Sequence, residues 1–196
     1  MQGHVTMRLV LASASPRRRE LLAAAGYRFE VIPSEVDESQ FARSRANPRR
    51  HAEELALAKA RNVAPQRPDS LVIGADTIVD LHGEIIGKPA DAAEAERITR
   101  RLFAEPHEVI TGLALVRLCD RTEIVRSEVT TVYPRQLTEE QIAAHLAGGT
   151  WQGKAGAYAI QETGDELVDH LEGSLTNVVG LPMELLERLL AELARR

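Results

Sequence analysis

The 196-residue chain is short of cysteine, of lysine and of long apolar runs. Its one cysteine, Cys119, rules out an internal disulfide and a zinc site built on several thiolates, and it fits a reducing cytosol. No apolar run approaches the roughly 18 residues of a membrane span. The opening stretch MQGHVTMRLVLASASPRRR has no cationic leader ahead of a long apolar core, so no signal peptide is expected. Residues 1–6 read as an extension, with Met7 an alternative start. Familiar signatures are missing too: there is no G-x-x-x-x-G-K-[ST], no G-x-G-x-x-G after a strand, no G-x-S-x-G and no H-E-x-x-H. The run Gly83–Pro89 approaches the first of these, with the wrong spacing and a proline where a hydroxyl is needed. The six histidines are scattered, and none is assigned a metal.

What is present is uneven charge. The chain carries 24 basic and 29 acidic residues, a net charge of -5 that argues against a general nucleic-acid binder. Residues 1–50, however, hold nine arginines against five acids, which leaves room for a local anion site. Only three lysines occur beside 21 arginines: Lys59, Lys88 and Lys154. Lysine and arginine exchange freely on most surfaces, but not where a compact, rotatable charge must touch an anion. Lys59 shares an apolar helix face with Ala52, Leu55, Ala56 and Val63, where it either snorkels or points into a cleft. Lys88 and Lys154 lie in turns, Gly87-Lys88-Pro89 and Gly153-Lys154-Ala155.

The pattern predicts one domain over 1–196, large enough to bury roughly 70% of its unfolded surface. Strands are expected at 8–12, 29–32, 71–81, 84–86, 108–118 and 122–133. Helices are expected at 16–25, 48–63, 91–104, 138–147 and 183–194. Their starts carry local signals: Ser15-Pro16, Asn47-Pro48, Asp91, the capping box Thr138 with Gln141, and Pro182. Residues 148–156 read as a Gly-rich loop, and 157–161 and 166–171 as extended. Alternating helices and strands with hairpins among them mean an α/β fold on a mixed sheet. The C-terminal leucines Leu185, Leu186, Leu189, Leu190 and Leu193 make more than one stripe, for core packing or a subunit contact.

Three places look chemical. Ser13-Ala14-Ser15-Pro16-Arg17-Arg18-Arg19 passes from strand through turn to helix. Cations in a first helical turn cost a few tenths to ~1 kcal/mol each. An anion held by the free N–H groups, the hydroxyls and the guanidinium forks reverses that cost; the alternative is a solvated basic face. In Leu71-Val72-Ile73-Gly74-Ala75-Asp76-Thr77-Ile78-Val79 a carboxylate lies inside an apolar strand. Left unpaired and ionised, it costs several kcal/mol. It suits a divalent-cation ligand or a general base, against the plainer reading of a turn or capping contact. Gly74 fits a close backbone approach or a bend. Glu35, Asp37 and Glu38 form an acidic loop, either a source of a metal ligand or simply solvated.

Taken together, Leu11–Arg18, Val36-Asp37-Glu38, Ala58-Lys59-Ala60, Gly74-Ala75-Asp76-Thr77, Gly87-Lys88-Pro89, Lys154–Tyr158 with Ile160-Gln161, and Val179-Gly180-Leu181-Pro182 resemble the Maf family. These are nucleoside triphosphate pyrophosphatases, first named as septum-formation inhibitors. The resemblance runs in order from about residue 8 to 190. It implies a mixed, strongly curved central sheet flanked by helices, with two lobes and a cleft, related to the inosine triphosphate pyrophosphatase fold. It also implies a divalent cation (Mg²⁺ or Mn²⁺), a cytoplasmic setting, a nucleoside triphosphate substrate rather than nucleic acid or membrane, and an often dimeric state. The family's proton acceptor matches Asp76. Its specificity determinants match Arg17, Thr77 and Gln161, in the form that resembles the dTTP/UTP branch. The branch acting on 7-methyl-GTP, and a non-catalytic nucleotide-binding division regulator, are the alternatives. Phosphate contacts map onto Ser13, Arg17, Arg18, Lys59, Lys88 and Lys154. Metal contacts map onto Glu38 and Asp76, and sequence leaves Asp76 open as base or ligand. Ala159 stands where the family has glycine.

Overall fold

The computed structural model describes residues 7–41, 47–158, 160 and 167–195. Its strands are β1 (Leu9–Leu11), β2 (Phe29–Val31), β3 (Leu71–Leu81), β4 (Glu84–Ile86), β5 (His107–Arg117), β6 (Thr122–Pro134) and β7 (Val168–Glu172). They form one seven-stranded mixed sheet in the order β2-β1-β3-β5-β6-β7, with β4 also on β3. β1 runs parallel to β2 and β3, and the other pairings are antiparallel. The described α-helices are α1 (Pro16–Ala24), α2 (Pro48–Val63), α3 (Ala92–Leu102), α4 (Glu139–Ala147), α5 (Leu175–Val179) and α6 (Met183–Leu193). None of them is long and apolar enough to cross a membrane.

The elements start where local chemistry sets them. The Asn47 side chain accepts from the Arg50 N–H, Asp91 from Glu94, and Thr138 with Gln141 closes a reciprocal capping box. Helix α5 has no counterpart among the predicted elements. At five residues it is too short for periodicity to reveal. Its marks are the Ser174 cap, which accepts from Asn177 N–H, and the stop at Gly180, whose φ is 127°.

Strand alternation sorts side chains to two faces. Val72, Asp76 and Ile78 of β3 face α2. Ile73, Ala75, Thr77 and Val79 face α1, α5, α6 and, toward the other end, α3. On the first face Ala56, Ala60 and Val63 of α2 pack on Val10, Val72, Ala114 and Val116. On the second, the C-terminal leucines Leu185, Leu186, Leu189, Leu190 and Leu193 are all buried with Leu22, Ile73 and Leu113. Their double stripe is therefore core packing. Farther along, Ile98 and Leu102 of α3 pack on Val79, Val109 and Tyr158.

Two glycines let α2 lie unusually close. A Cβ on Gly74 would sit 2.2 Å from the Ala56 carbonyl oxygen, and one on Gly112 would sit 2.2 Å from that of Ala52. Gly112 is the residue paired across from Asp76. The helix is thus drawn onto the sheet at the position of the carboxylate, which brings Lys59 within reach of it. Gly74 serves close approach, in a strand that stays continuous from Leu71 to Leu81.

The sheet also has an open edge there. β1 pairs with β3 only through Ile73, with one more bond from Ala12 N–H to the Ile73 carbonyl. β4 joins the same edge at Val79. Between them β3 is laddered only to β5, so Asp76 and Thr77, on opposite faces, both open onto one gap. The chain leaving β1 turns at Ser13–Ser15 and starts α1 beside this gap. A helix N-terminus at the carboxyl end of a parallel strand is where α/β sheets characteristically bind ligands.

Candidate active site

The gap widens into a cleft of about 840 Å³. Ser13, Arg17, Arg18, Glu38, Lys59, Asp76, Thr77, Lys88 and Lys154 all line it. Nine of the ten residues singled out from sequence therefore meet in one place; the tenth, Gln161, lies outside the described residues, as does Ala159. Of the acidic loop only Glu38 enters. Asp37 instead caps the short 3-10 turn Glu38–Gln40 through the Ser39 N–H, and Glu35 is bonded through its backbone N–H to Asn62. Arg19, third in the arginine run, is exposed and outside the lining.

The centre is a chain of three charges. The Lys59 ammonium lies 2.6 Å from Asp76 Oδ1 and 2.6 Å from Glu38 Oε1. Lys59 and Asp76 are buried, and Glu38 is exposed toward solvent. The cost of placing a carboxylate in an apolar strand is thus offset by a partner on the facing helix. Lys59 does not snorkel: its stem lies on the apolar stripe of α2 and its head reaches the cleft. Burial pushes the Glu38 carboxyl up. The hydrogen bond and charge of Lys59, with Lys88 and Arg18 behind them, override this and hold it below the usual carboxylate range. Asp76 Oδ2 carries no hydrogen bond among the described residues.

The two arginines of the α1 first turn divide their work. Arg18 spends three of its five N–H donors on protein: Nε on the Gly180 carbonyl at 2.7 Å, Nη1 on Ser13 Oγ at 3.2 Å, and Nη2 on Thr77 Oγ1 at 3.1 Å. Burial lowers its pKa, the Asp76 charge pulls it back up, and Arg17 lowers it further. Arg17 is the opposite case. Its Nε is buried without a hydrogen-bond partner among the described residues. A guanidinium donor left this way at a helix N-terminus is a place that an anion entering the cleft would satisfy. Ser13 Oγ also accepts from Ser15 N–H at 3.2 Å, so with Arg18 both its lone pairs are used and its own hydrogen is left to donate.

The far wall of the cleft is apolar, with Val109, Tyr158, Ile160 and Val178. Tyr158 is held by His107. The His107 Nδ1 faces the Leu102 carbonyl at 3.2 Å and so carries the hydrogen, leaving Nε2 to accept from the Tyr158 hydroxyl at 2.9 Å. Burial pushes His107 down to about 4. An unfolded histidine binds its proton near 6.5, so folding is weakened as pH falls from about 6.5 toward 4 and levels off below. Urea unfolding is expected to show about 2 kcal/mol less stability at pH 5 than at pH 7 from this group. The His107→Gln variant is expected to lack that part of the slope; an identical slope in both proteins contradicts the assignment.

The chain matches the Maf-like protein family over residues 8–193. This protein belongs to the Maf family. Among its relatives, a protein of Geotalea uraniireducens (strain Rf4) named dTTP/UTP pyrophosphatase is 48% identical over 176 residues, 89% of each chain. One of the same name from Gloeobacter violaceus (strain ATCC 29082 / PCC 7421) is 46% identical over 196 residues, 98% of this chain and 99% of that one. Among solved structures, a HAM1 protein from Coxiella burnetii aligns with a TM-score of 0.45 at 17% identity, covering 67% of this chain and 74% of that chain. In this Maf protein the sequence marks Gly180 only as part of the Val179–Pro182 motif, without a role, and leaves Thr111 and Asn177 unmarked. Gly180 takes the Arg18 Nε–H, and Thr111 and Asn177 stand behind Thr77. Local pattern exposes none of these roles, because the partners lie far away in the chain.

Proposed function

We propose that this Maf protein hydrolyses dTTP and UTP to the monophosphate and pyrophosphate. The observation that carries the reading is the meeting of the Asp76–Lys59–Glu38 chain with the unpartnered Arg17 Nε at the open edge of β3. The names of relatives that align over nearly the whole chain support the same activity.

In this reading the triphosphate oxygens meet the N-terminus of α1, with Arg17, the Ser13 hydroxyl, Lys88 and Lys154 as donors. The base lies toward the apolar wall formed by Val109, Tyr158 and Val178. The donor set also fits a hard divalent cation. Among the described residues there is no group of three His, Cys, Asp or Glu side chains placed to hold a metal ion. Two carboxylates sharing Lys59 suit Mg²⁺ or Mn²⁺, which take one or two carboxylates and complete their shell with substrate phosphates. Glu38 and Asp76 would hold such a cation, which would neutralise phosphate charge and make the α-phosphorus more electrophilic.

Asp76 takes a proton from water as the water oxygen bonds to the α-phosphorus. The bond from that phosphorus to the α,β-bridging oxygen breaks, and pyrophosphate leaves with the electron pair. Lys59 fixes Asp76 through Oδ1, so Oδ2 is the oxygen left to accept. Most of the rate comes from positioning and charge neutralisation.

The test is pyrophosphate release from UTP, dTTP, CTP and 7-methyl-GTP, with Mg²⁺ and with chelator. UTP and dTTP are expected to exceed the other two by on the order of tenfold or more, and chelator to abolish turnover. Orthophosphate as the product, or faster cleavage of 7-methyl-GTP, overturns the reading.

A further inference from the structure

Thr111 stands on β5 directly across the pairing from Thr77. It is fully buried and does not line the cleft. The hydrogen bonds around this pair run in one direction. The Asn177 carbonyl only accepts, so the Thr111 hydroxyl donates to it at 3.0 Å. Thr111 Oγ1 then meets Thr77 Oγ1, 2.9 Å away, with a lone pair, and the Thr77 hydrogen lies on that line. The Arg18 Nη2 only donates, and it takes one lone pair of Thr77 at 3.1 Å. The approach of Thr77 Oγ1 to the Gly180 carbonyl competes for the same hydrogen, but at 3.4 Å it is the weaker contact.

A hydroxyl has one hydrogen and two lone pairs. Here the hydrogen and one lone pair are committed inside the protein. What Thr77 has left for the cleft is a lone pair alone.

We propose that Thr111 is a specificity-determining positioning residue: by holding the Thr77 hydrogen away from the cleft, it makes Thr77 an acceptor that selects a base with a ring N–H. Uracil and thymine carry such an imide N–H. Cytosine presents a bare ring nitrogen at the same position, which sets lone pair against lone pair. The proposal rests on the triphosphate-cleaving reading above and extends it to the means by which the base is chosen.

The experiment compares kcat/KM for UTP and CTP in wild type, Thr111→Val, Thr111→Ala and Thr111→Ser. Valine keeps the shape and removes the acceptor. The Asn177 carbonyl still accepts from Gly180 N–H at 3.0 Å, so no buried carbonyl is orphaned. The Thr77 hydrogen is then free to turn either toward Gly180 or toward the ligand. The UTP-to-CTP ratio is expected to fall by on the order of tenfold, one hydrogen bond's worth, chiefly because CTP improves. UTP turnover stays near wild type, and Thr111→Ser keeps the wild-type ratio. Thr111→Ala asks for no extra room and gives the same reading if the valine variant fails to fold.

A folded Val or Ala variant with the wild-type ratio overturns the proposal. So does a parallel loss on both substrates, which marks a merely structural residue. Wild type failing to release pyrophosphate from UTP overturns the functional reading and this inference with it. Wild type active on UTP with a ratio unmoved by the variants overturns this inference alone.

Discussion

Lys59→Met is expected to lower stability by about 3 kcal/mol and to abolish pyrophosphate release. Lys59 is the one cation within 2.6 Å of the buried Asp76 carboxylate among the described residues. Methionine fills the stem's volume on α2 but leaves Asp76 without its ammonium. Removing one member of a buried pair costs about 3–5 kcal/mol, and the low end applies because the charge of Arg18 still acts on Asp76. Removing both charges is a different matter. The double variant Lys59→Met with Asp76→Leu is expected to recover most of that loss, to within ~1 kcal/mol of wild type, while staying inactive. Urea unfolding at pH 7 measures all three proteins. A single variant as stable as wild type would mean that the pair is not what balances the buried carboxylate. A double variant as unstable as the single would mean that packing, not charge, is lost.

Much of this arrangement is legible in the sequence because the signals are local or come from a mismatch. Caps such as Asn47-Pro48 and Asp91 act within one turn, and the helices begin where those residues stand. A lysine on an apolar stripe and an aspartate in an apolar strand are each costly alone. Each cost implies a partner, and here the partner is the other residue, at 2.6 Å. Three lysines among 21 arginines pointed to contact with an anion, and all three line the cleft.

The division between Arg17 and Arg18 is not legible, because what separates them is the Gly180 carbonyl, 162 residues away. The two are adjacent and chemically identical; only the fold makes Arg18 an internal strut and leaves Arg17 Nε without a partner among the described residues. Thr111 is hidden for another reason. A threonine in a strand reads as ordinary β-branched packing, and its role arises from the β3–β5 register that sets it opposite Thr77. The open edge of β3 is likewise invisible until the lengths of β1 and β4 are known, since it exists only because both stop short.

The second large effect concerns Asp76 itself. Asparagine has the shape of aspartate and keeps a side-chain oxygen for the Lys59 ammonium, so Asp76→Asn is expected to fold. It cannot take a proton from water, and it withdraws one negative charge from the cation site. General-base removal alone costs on the order of 10²–10⁴ in rate. With the weakened metal contact added, a loss of about 10³-fold or more is expected. Substrate affinity is expected to change little, because the donors that meet the triphosphate lie on α1 and the turns bearing Lys88 and Lys154. The decisive measurement is therefore pyrophosphate release from saturating UTP and Mg²⁺ by folded Asp76→Asn, beside UTP binding to the same protein. A rate lower by about a thousandfold with binding within a few-fold of wild type is the predicted result; a rate within tenfold of wild type contradicts the account.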